Sequence, residues 1–431
     1  MSRHILRLKD WFPSSGFARS VLILMTGTTL AQAIPVAVSP LLTRLYTPAD
    51  FGVLALFVSI TAFFGAVANA RYEIAVVLPE REEEAVGIVV LAVIIALLAA
   101  LLLLFAVSVF NQQITNALGV EAISRWLYFA PIAVALVGTH NALRHFAIRS
   151  KEFGAIAAAN VHKAGAASGL QLLLGGLTAG PGGLIIGQLT SHVAGNARLL
   201  RNFMACTAGL QKTTAAHVKM VAMRYVQFPK YSLLGVIANN GAQNVTSIFI
   251  SAAFSVATLG HYALVNRVIG LPSQLIGTAV SNAFISEAMD EKRRTGKAIG
   301  TFDRTLVSML ALAIPGFLVL YFVAEEIFAW FFGPEWRVAG QYAQILTILI
   351  GVRFVVSPLS PINHIFEKQG LALRFQLASL AITLTAFALS IWLELDFTAF
   401  LWLLSLSLTA RYIIWLIVLR VIASGGFALR R

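Results

Sequence analysis

Lys163, Arg267, Arg353 and Arg411 stand where a bilayer tolerates charge least. Each lies about eight or more residues from both ends of a long apolar run, and a cation at the bilayer centre costs roughly 2.5–3.5 kcal/mol on insertion scales. Snorkelling reaches only the interface, so each needs an anion, a carboxylate or water inside the fold. Guanidinium groups bind phosphate oxygens in bidentate fashion, so cations facing one wet cavity would suit a pyrophosphate or acidic sugars. The competing reading is an internal ion pair or a contact with helix carbonyls. With almost no carboxylate in the middle of any run, ligand binding is favoured, and Arg353 and Arg267 lead the candidates.

Uncharged polar residues repeat at helical spacing. Asn160, Lys163 and Gln171 share a face with the small Ala167 between them, and Gln188 pairs with His192 four residues on. Asn239 with Gln243, and Asn240 with Asn244, form two further pairs at the same spacing. Such stripes either line a water-filled cavity or cross-link helices. Asn160, Asn240, Gln243 and Asn244 are accordingly candidates for contacts to sugar hydroxyls. Arg71 and Glu73 close the second apolar run, where Arg71 either guides a phosphate inward or is paired or snorkelled. The run Glu80-Arg81-Glu82-Glu83-Glu84 reads as a solvated loop. His140 and His145 flank Arg144 without carboxylates at metal-ligand spacing, so no metal is expected. Pro35 and Pro40 remove backbone bonds from the first run and are candidate hinges, or static kinks. No cofactor motif is found.

The elements that carry these residues follow from composition. Of 431 residues, 58% are hydrophobic and 12% charged, against roughly 25% charged in a soluble domain. The apolar residues fall in blocks of about 20, the hydrocarbon thickness of a bilayer, rather than in alternating strands. The expected protein is all-α and polytopic. Twelve spans are predicted: 18–42, 51–70, 85–108, 126–147, 154–176, 182–200, 230–252, 258–285, 304–323, 341–364, 373–393 and 397–419. Thr47-Pro48-Ala49-Asp50 and Gly180-Pro181-Gly182-Gly183 mark joints between them. Arg3, Arg7 and Lys9 lead into Trp11 without the apolar core of a cleavable signal, so the first 20 residues are expected to form an interfacial helix. Cys206 is the sole cysteine, which excludes an internal disulfide.

The net charge of +13 could suggest nucleic acid. The basic residues instead lie between spans. With a cytoplasmic N-terminus, 25 of the 32 fall on one side and three, Arg44, Arg125 and Arg337, on the other, which predicts N-in, C-in. The hydrophilic stretch 201–229 separates an N-terminal lobe, 1–200, from a C-terminal lobe, 230–431, with six spans in each. An even number of spans keeps both lobes in the same orientation, the parallel-repeat arrangement. Leu45 to Leu56 echoes Ala253 to Leu264, each placing a short loop before a Gly, Gly52 or Gly260, that opens a span.

Leu41-Leu42-Thr43-Arg44-Leu45-Tyr46-Thr47-Pro48-Ala49-Asp50-Phe51-Gly52, followed by Arg71-Tyr72-Glu73, resembles the opening of the Wzx-type polysaccharide flippases. Further segments resemble the same family in order: Gln227-Phe228-Pro229-Lys230-Tyr231-Ser232, Gly260-His261-Tyr262-Ala263-Leu264 with Arg267 and Pro272, Phe332-Gly333-Pro334-Glu335-Trp336, and Ser357-Pro358-Leu359-Ser360 with Glu367-Lys368-Gln369-Gly370. Each motif is loose, but together they span nearly the whole chain. The resemblance implies the multidrug/oligosaccharidyl-lipid/polysaccharide exporter fold, two six-helix lobes facing each other as a V around a central cavity. It implies a bacterial inner-membrane flippase for undecaprenyl-pyrophosphate-linked sugar units. The polysaccharide polymerase and chain-length regulator of the pathway would be its partners. Whether H+ or Na+ couples transport is not readable. The alternatives are an ion-coupled drug antiporter of the same superfamily, from which a buried mid-span carboxylate would be expected, a membrane polymerase or glycosyltransferase, and a structural secretion component. The outer loops are short and no paired carboxylates converge, which argues against an enzyme. The lipid II flippase branch has additional spans.

Overall fold

The computed structural model describes residues 16–177, 180–206 and 214–426, with the backbone alone at 16–22, 206, 231, 234, 235, 238, 239, 241–243 and 272. The first 15 residues of the expected interfacial helix, and 207–213 of the expected connection, lie outside the described residues. Those described are helical throughout, without a strand, and the chain divides into two compact units, Met1–Ala252 and Ala253–Arg431.

The first unit holds α1 (Gly16–Leu45), α2 (Pro48–Val67), the short α3 (Tyr72–Ala75), α4 (Glu82–Leu118), the short α5 (Ser124–Leu127) and α6 (Ala130–Arg149). It continues with α7 (Phe153–Gly175), α8 (Pro181–Cys206), α9 (Ala215–Arg224) and α10 (Leu233–Ala253), whose last residue opens the second unit. That unit holds α11 (Val256–Val265), α12 (Leu271–Thr295), α13 (Ile299–Phe332), α14 (Arg337–Val356), the short α15 (Ile362–Ile365), α16 (Gln369–Trp392) and α17 (Phe397–Ala423). Every predicted span falls on helix, although 126–147 spreads over α5 and α6, 258–285 over α11 and α12, and 341–364 over α14 and α15. The helices α4, α8, α12 and α13 run five or more residues past their spans, α4 through a break at Phe110 (φ −112°, ψ 16°), two residues past the predicted end at 108.

Local signals explain where helices begin. Thr47 caps α2: its Oγ1 accepts from the Asp50 amide at 3.2 Å, Asp50 Oδ2 accepts from the Thr47 amide at 3.0 Å, and Pro48 presets the first turn. Ser255 caps α11 in the same way, accepting from the Thr258 amide at 3.0 Å. The echo between the halves is thus a shared N-cap. Gly119 and Gly296 end α4 and α12 in the left-handed region (φ 66° and 73°).

Eight described helices are long and apolar enough to cross a membrane, and nine if Glu121–Leu127 and Ala130–Arg149, bent by 54°, form one span. The chain is a multi-pass membrane protein. Among the predicted spans, α7 and α8 fall short of that apolar standard. Their polar residues are largely turned inward. Gln171 is buried, donating from Nε2 to the Leu184 carbonyl at 3.0 Å, while its own carbonyl accepts from the Tyr46 hydroxyl at 2.6 Å. It therefore ties α7 to α8 and α1. Outward, Leu102, Phe105, Phe322 and Trp392 are left bare, as lipid contact requires.

In the first unit, Tyr72, Ala85, Val86, Phe146 and Leu199 lie in one core, into which α9 inserts Val221. The Tyr72 hydroxyl donates to the Ala222 carbonyl at 2.9 Å, and Arg224 pairs with Glu84 at 2.8 Å. The middle of the expected connection is therefore fastened to the start of α4. In the second unit, Phe302, Leu359, Trp415 and Leu419 lie in another core. Pairs close both ends of α13, Asp303 with Arg420 at 2.9 Å and Glu326 with Arg337 at 2.6 Å.

Candidate substrate-binding sites

In the second unit, Arg353 projects from the last turns of α14 and is exposed, with no carboxylate partner among the described residues. It borders a hollow of about 370 Å³ whose wall includes Asn266, Ser273, Gln274, Thr278, Ser281 and Ser357. A guanidinium above hydroxyls and amides, with no acidic group in the lining, can bind a phosphate and its neighbouring hydroxyls. The walls come from α12, α14 and the π-helical turn Asn266–Gly270 that joins α11 to α12. Such turns recur at functional sites because the extra residue redirects side chains. Arg267 occupies that turn and is half-buried, without a carboxylate partner among the described residues. It does not line the hollow, although its neighbour Asn266 does.

Arg411, on α17, is only 7% exposed. Its guanidinium lies 3.8 Å from the Phe375 ring centre and 4.2 Å from that of Tyr412, and it donates to the Phe375 carbonyl at 3.2 Å. Its charge is met by π faces and a carbonyl. It borders a second hollow, of about 510 Å³, which shares Ser357 with the first.

The first unit carries its own cluster. Lys163 of α7 lies against Gly195 of α8, where a Cβ would stand 2.5 Å from the lysine Cγ and 3.5 Å from His140 Cε1. Glycine there is what lets the lysine in. His140 Nδ1 is 3.1 Å from Asn196 Oδ1, and the Asn196 amide donates to the Leu136 carbonyl at 2.8 Å. The sequence placed His140 beside His145; the fold pairs it with Asn196. No metal-holding group of His, Cys, Asp or Glu occurs among the described residues. Asn160 is half-buried one turn before Lys163. On α10, Asn240 and Asn244 donate to carbonyls four residues earlier, at 3.1 and 2.8 Å. The side chains of Asn239 and Gln243 lie outside the described residues. Pro35 and Pro40 stand inside an unbroken α1.

Arg71 is ion-paired to Glu73 at 3.1 Å. Pairing was one of the readings offered for Arg71, but nothing in Arg71-Tyr72-Glu73 signals that Glu73 is buried: it is 3% exposed, with Oε2 unpartnered. Ala70 and Arg71 both adopt left-handed backbone (φ 47° and 68°), costing about 1–2 kcal/mol each, to bring the two charges together. Burial pushes the Glu73 carboxyl above its ordinary range, against the opposing pulls of its own backbone and Arg71. A raised folded-state value means that this group's contribution to stability is present at low pH and lost as pH climbs through that value. Arg71→Gln leaves the carboxylate without its counter-charge, and breaking a buried pair costs on the order of 3–5 kcal/mol. The purified variant should melt well below the parent at alkaline pH and recover part of the difference at mildly acidic pH. A pH-independent difference would show that the charge on Glu73 is not what Arg71 offsets.

The profile of the "Polysaccharide biosynthesis protein" family matches residues 41–341, from the end of α1 into α14. The chain belongs to that family. No curated protein sequence matches it. Among solved structures, the lipid II flippase MurJ, in an inward closed conformation, superposes with TM-score 0.69 at 13% identity, over 92% of this chain and 86% of that one. An inward-facing multidrug resistance MATE family transporter of the MOP superfamily gives 0.58 at 12% identity, over 94% and 96%. A mutant of the Vibrio cholerae MATE transporter VcmN gives 0.58 at 14%, over 95% of each. At such identities the likeness is one of fold, and this member of the polysaccharide biosynthesis family carries the fold of the MOP transporters.

Proposed function

We propose that the protein is a flippase that moves oligosaccharide repeat units, linked to undecaprenyl pyrophosphate, from the cytoplasmic to the periplasmic leaflet of a bacterial inner membrane. The observation that carries this reading is Arg353. It is an exposed arginine in a membrane helix, with no carboxylate partner among the described residues, over a hollow walled by amides and hydroxyls. Family membership supplies the carbohydrate context. Arg353 and Arg267 hold the pyrophosphate; Arg411 and Lys163 supply further positive charge; Arg71, paired with Glu73, guides the phosphate inward; Asn160, Asn240, Gln243 and Asn244 meet sugar hydroxyls. Two six-span lobes, 1–200 and 230–431, joined by the cytoplasmic segment 201–229, alternate access to this substrate. Pro35 and Pro40 serve as hinges, each leaving a carbonyl of α1 without an amide donor. The polymerase and chain-length regulator of the same pathway act on the exported unit.

Deletion of the gene tests the reading. Lipid-linked sugar should accumulate on the cytoplasmic side and clear when the gene is restored. Unchanged lipid-linked intermediates would end the flippase assignment. The basic-residue bias supports N-in, C-in, so reporter fusions after residues 180 and 395 should read periplasmic and one after 215 cytoplasmic.

A further inference from the structure

The hollow beside Arg411 has a chemistry of its own. Two of its lining side chains are more than nine-tenths buried and each leaves a polar atom unpartnered: Arg411 through Nε, Asn363 through Oδ1. One is a charged donor and the other a neutral acceptor. The Arg411 guanidinium lies against the Phe375 and Tyr412 rings, which are inclined at 70° to each other, so its orientation is set before any ligand arrives. Gln376, Ser379 and His364 complete a polar wall without a carboxylate. An unpaired buried cation and an unpaired buried amide oxygen are both costly. A single ligand satisfies both when it brings an anionic oxygen for the guanidinium and a hydroxyl donor for the amide.

We infer that this hollow is a subsite for an acidic sugar, a hexuronate-type residue whose carboxylate pairs with Arg411 and whose ring hydroxyls bond Asn363, Gln376 and Ser379. The inference rests on the flippase reading and narrows its substrate to repeat units bearing a carboxylate. Ser357 stands on both hollows, so a pyrophosphate at Arg353 and a sugar acid at Arg411 would be held side by side. A carboxylate pairs with the edge of a guanidinium, because the paired N–H bonds lie in the guanidinium plane. A neutral sugar would leave Arg411 with only its ring and carbonyl contacts and no anionic partner. A phosphodiester group by itself presents acceptors only and would leave Asn363 Oδ1 unmet.

The full-length protein in nanodiscs of zwitterionic lipid, titrated calorimetrically with methyl β-glucuronide, methyl β-glucoside and inorganic phosphate, tests this. The glucuronide should bind at least about tenfold more tightly than the glucoside. Gln376→Ala, at an exposed position that folding does not require, should weaken the glucuronide several-fold, and Arg411→Lys should weaken it about tenfold or more. Inorganic phosphate should not compete at this subsite. Equal binding of glucoside and glucuronide, indifference to both substitutions, or full competition by phosphate would each overturn the inference. If deletion of the gene leaves lipid-linked sugars unchanged while the glucuronide still binds, the flippase reading fails and the sugar-acid subsite stands. If sugars accumulate but no glucuronide binds, the subsite fails alone.

Discussion

Arg353→Gln should abolish export while the protein remains inserted and abundant. The side chain has no carboxylate partner among the described residues, so its removal strands no opposite charge, and a less charged α14 inserts more readily. The loss falls on the ligand. Truncating one member of a hydrogen-bonded charge pair at a binding site costs on the order of 2–5 kcal/mol, about thirtyfold or more. Lipid-linked sugar should then accumulate as in the deletion strain. Arg353→Lys keeps the charge but loses the fork that grips two phosphate oxygens, and should restore export only in part. Normal export by the glutamine variant would leave the arginine without a role in substrate binding.

Gly340→Val should cost the second unit its integrity. A Cβ on Gly340 would stand 2.5 Å from Glu325 Cα and 2.8 Å from the Ala324 carbonyl oxygen. Both are backbone atoms of α13, so no rotamer change relieves the clash; the two helices must part. Overpacking a core typically costs 1–3 kcal/mol, and a backbone obstacle puts this case at about that upper end or beyond. Gly316→Ala on the same α13 is the control, because its Cβ would meet nothing within 4 Å. Membrane abundance and detergent melting temperature should fall for the valine variant and hold for the control. Equal stability of the two would mean that α13 and α14 do not approach so closely.

The helices were legible because a bilayer makes apolar length a strong signal, and because Thr47, Asp50 and Ser255 announce helix starts within a few residues. The site was legible only as a list of cations in unfavourable places. Arg353 borders a polar hollow that no sequence pattern outlines, and the stacking of Arg411 on Phe375 joins residues 36 apart on different helices, which no periodicity reports. Gln171 shared a polar stripe with Lys163, yet bonds across to α8 while the lysine lies against a glycine. A helical wheel shows which face a residue occupies; it does not show what stands opposite. Glu73 was illegible for a related reason. Its burial depends on two consecutive left-handed residues that are not glycine.

The polar character of α7 and α8 also governs how the protein is made. Neither reaches the apolar standard that the eight membrane-crossing helices meet. The Gln171 amide is met across the pair by the Leu184 carbonyl, and Gly187 and Gly195 clear room for the Gln171 and Lys163 side chains. Entry into the bilayer as a preformed hairpin would keep these contacts, with α7 waiting beside the insertion machinery until the 31 residues 176–206, the turn and α8, have been synthesised. A bulky residue at Gly195 would then act during biosynthesis, stalling a helix at the membrane's edge, before there is any finished protein to destabilise.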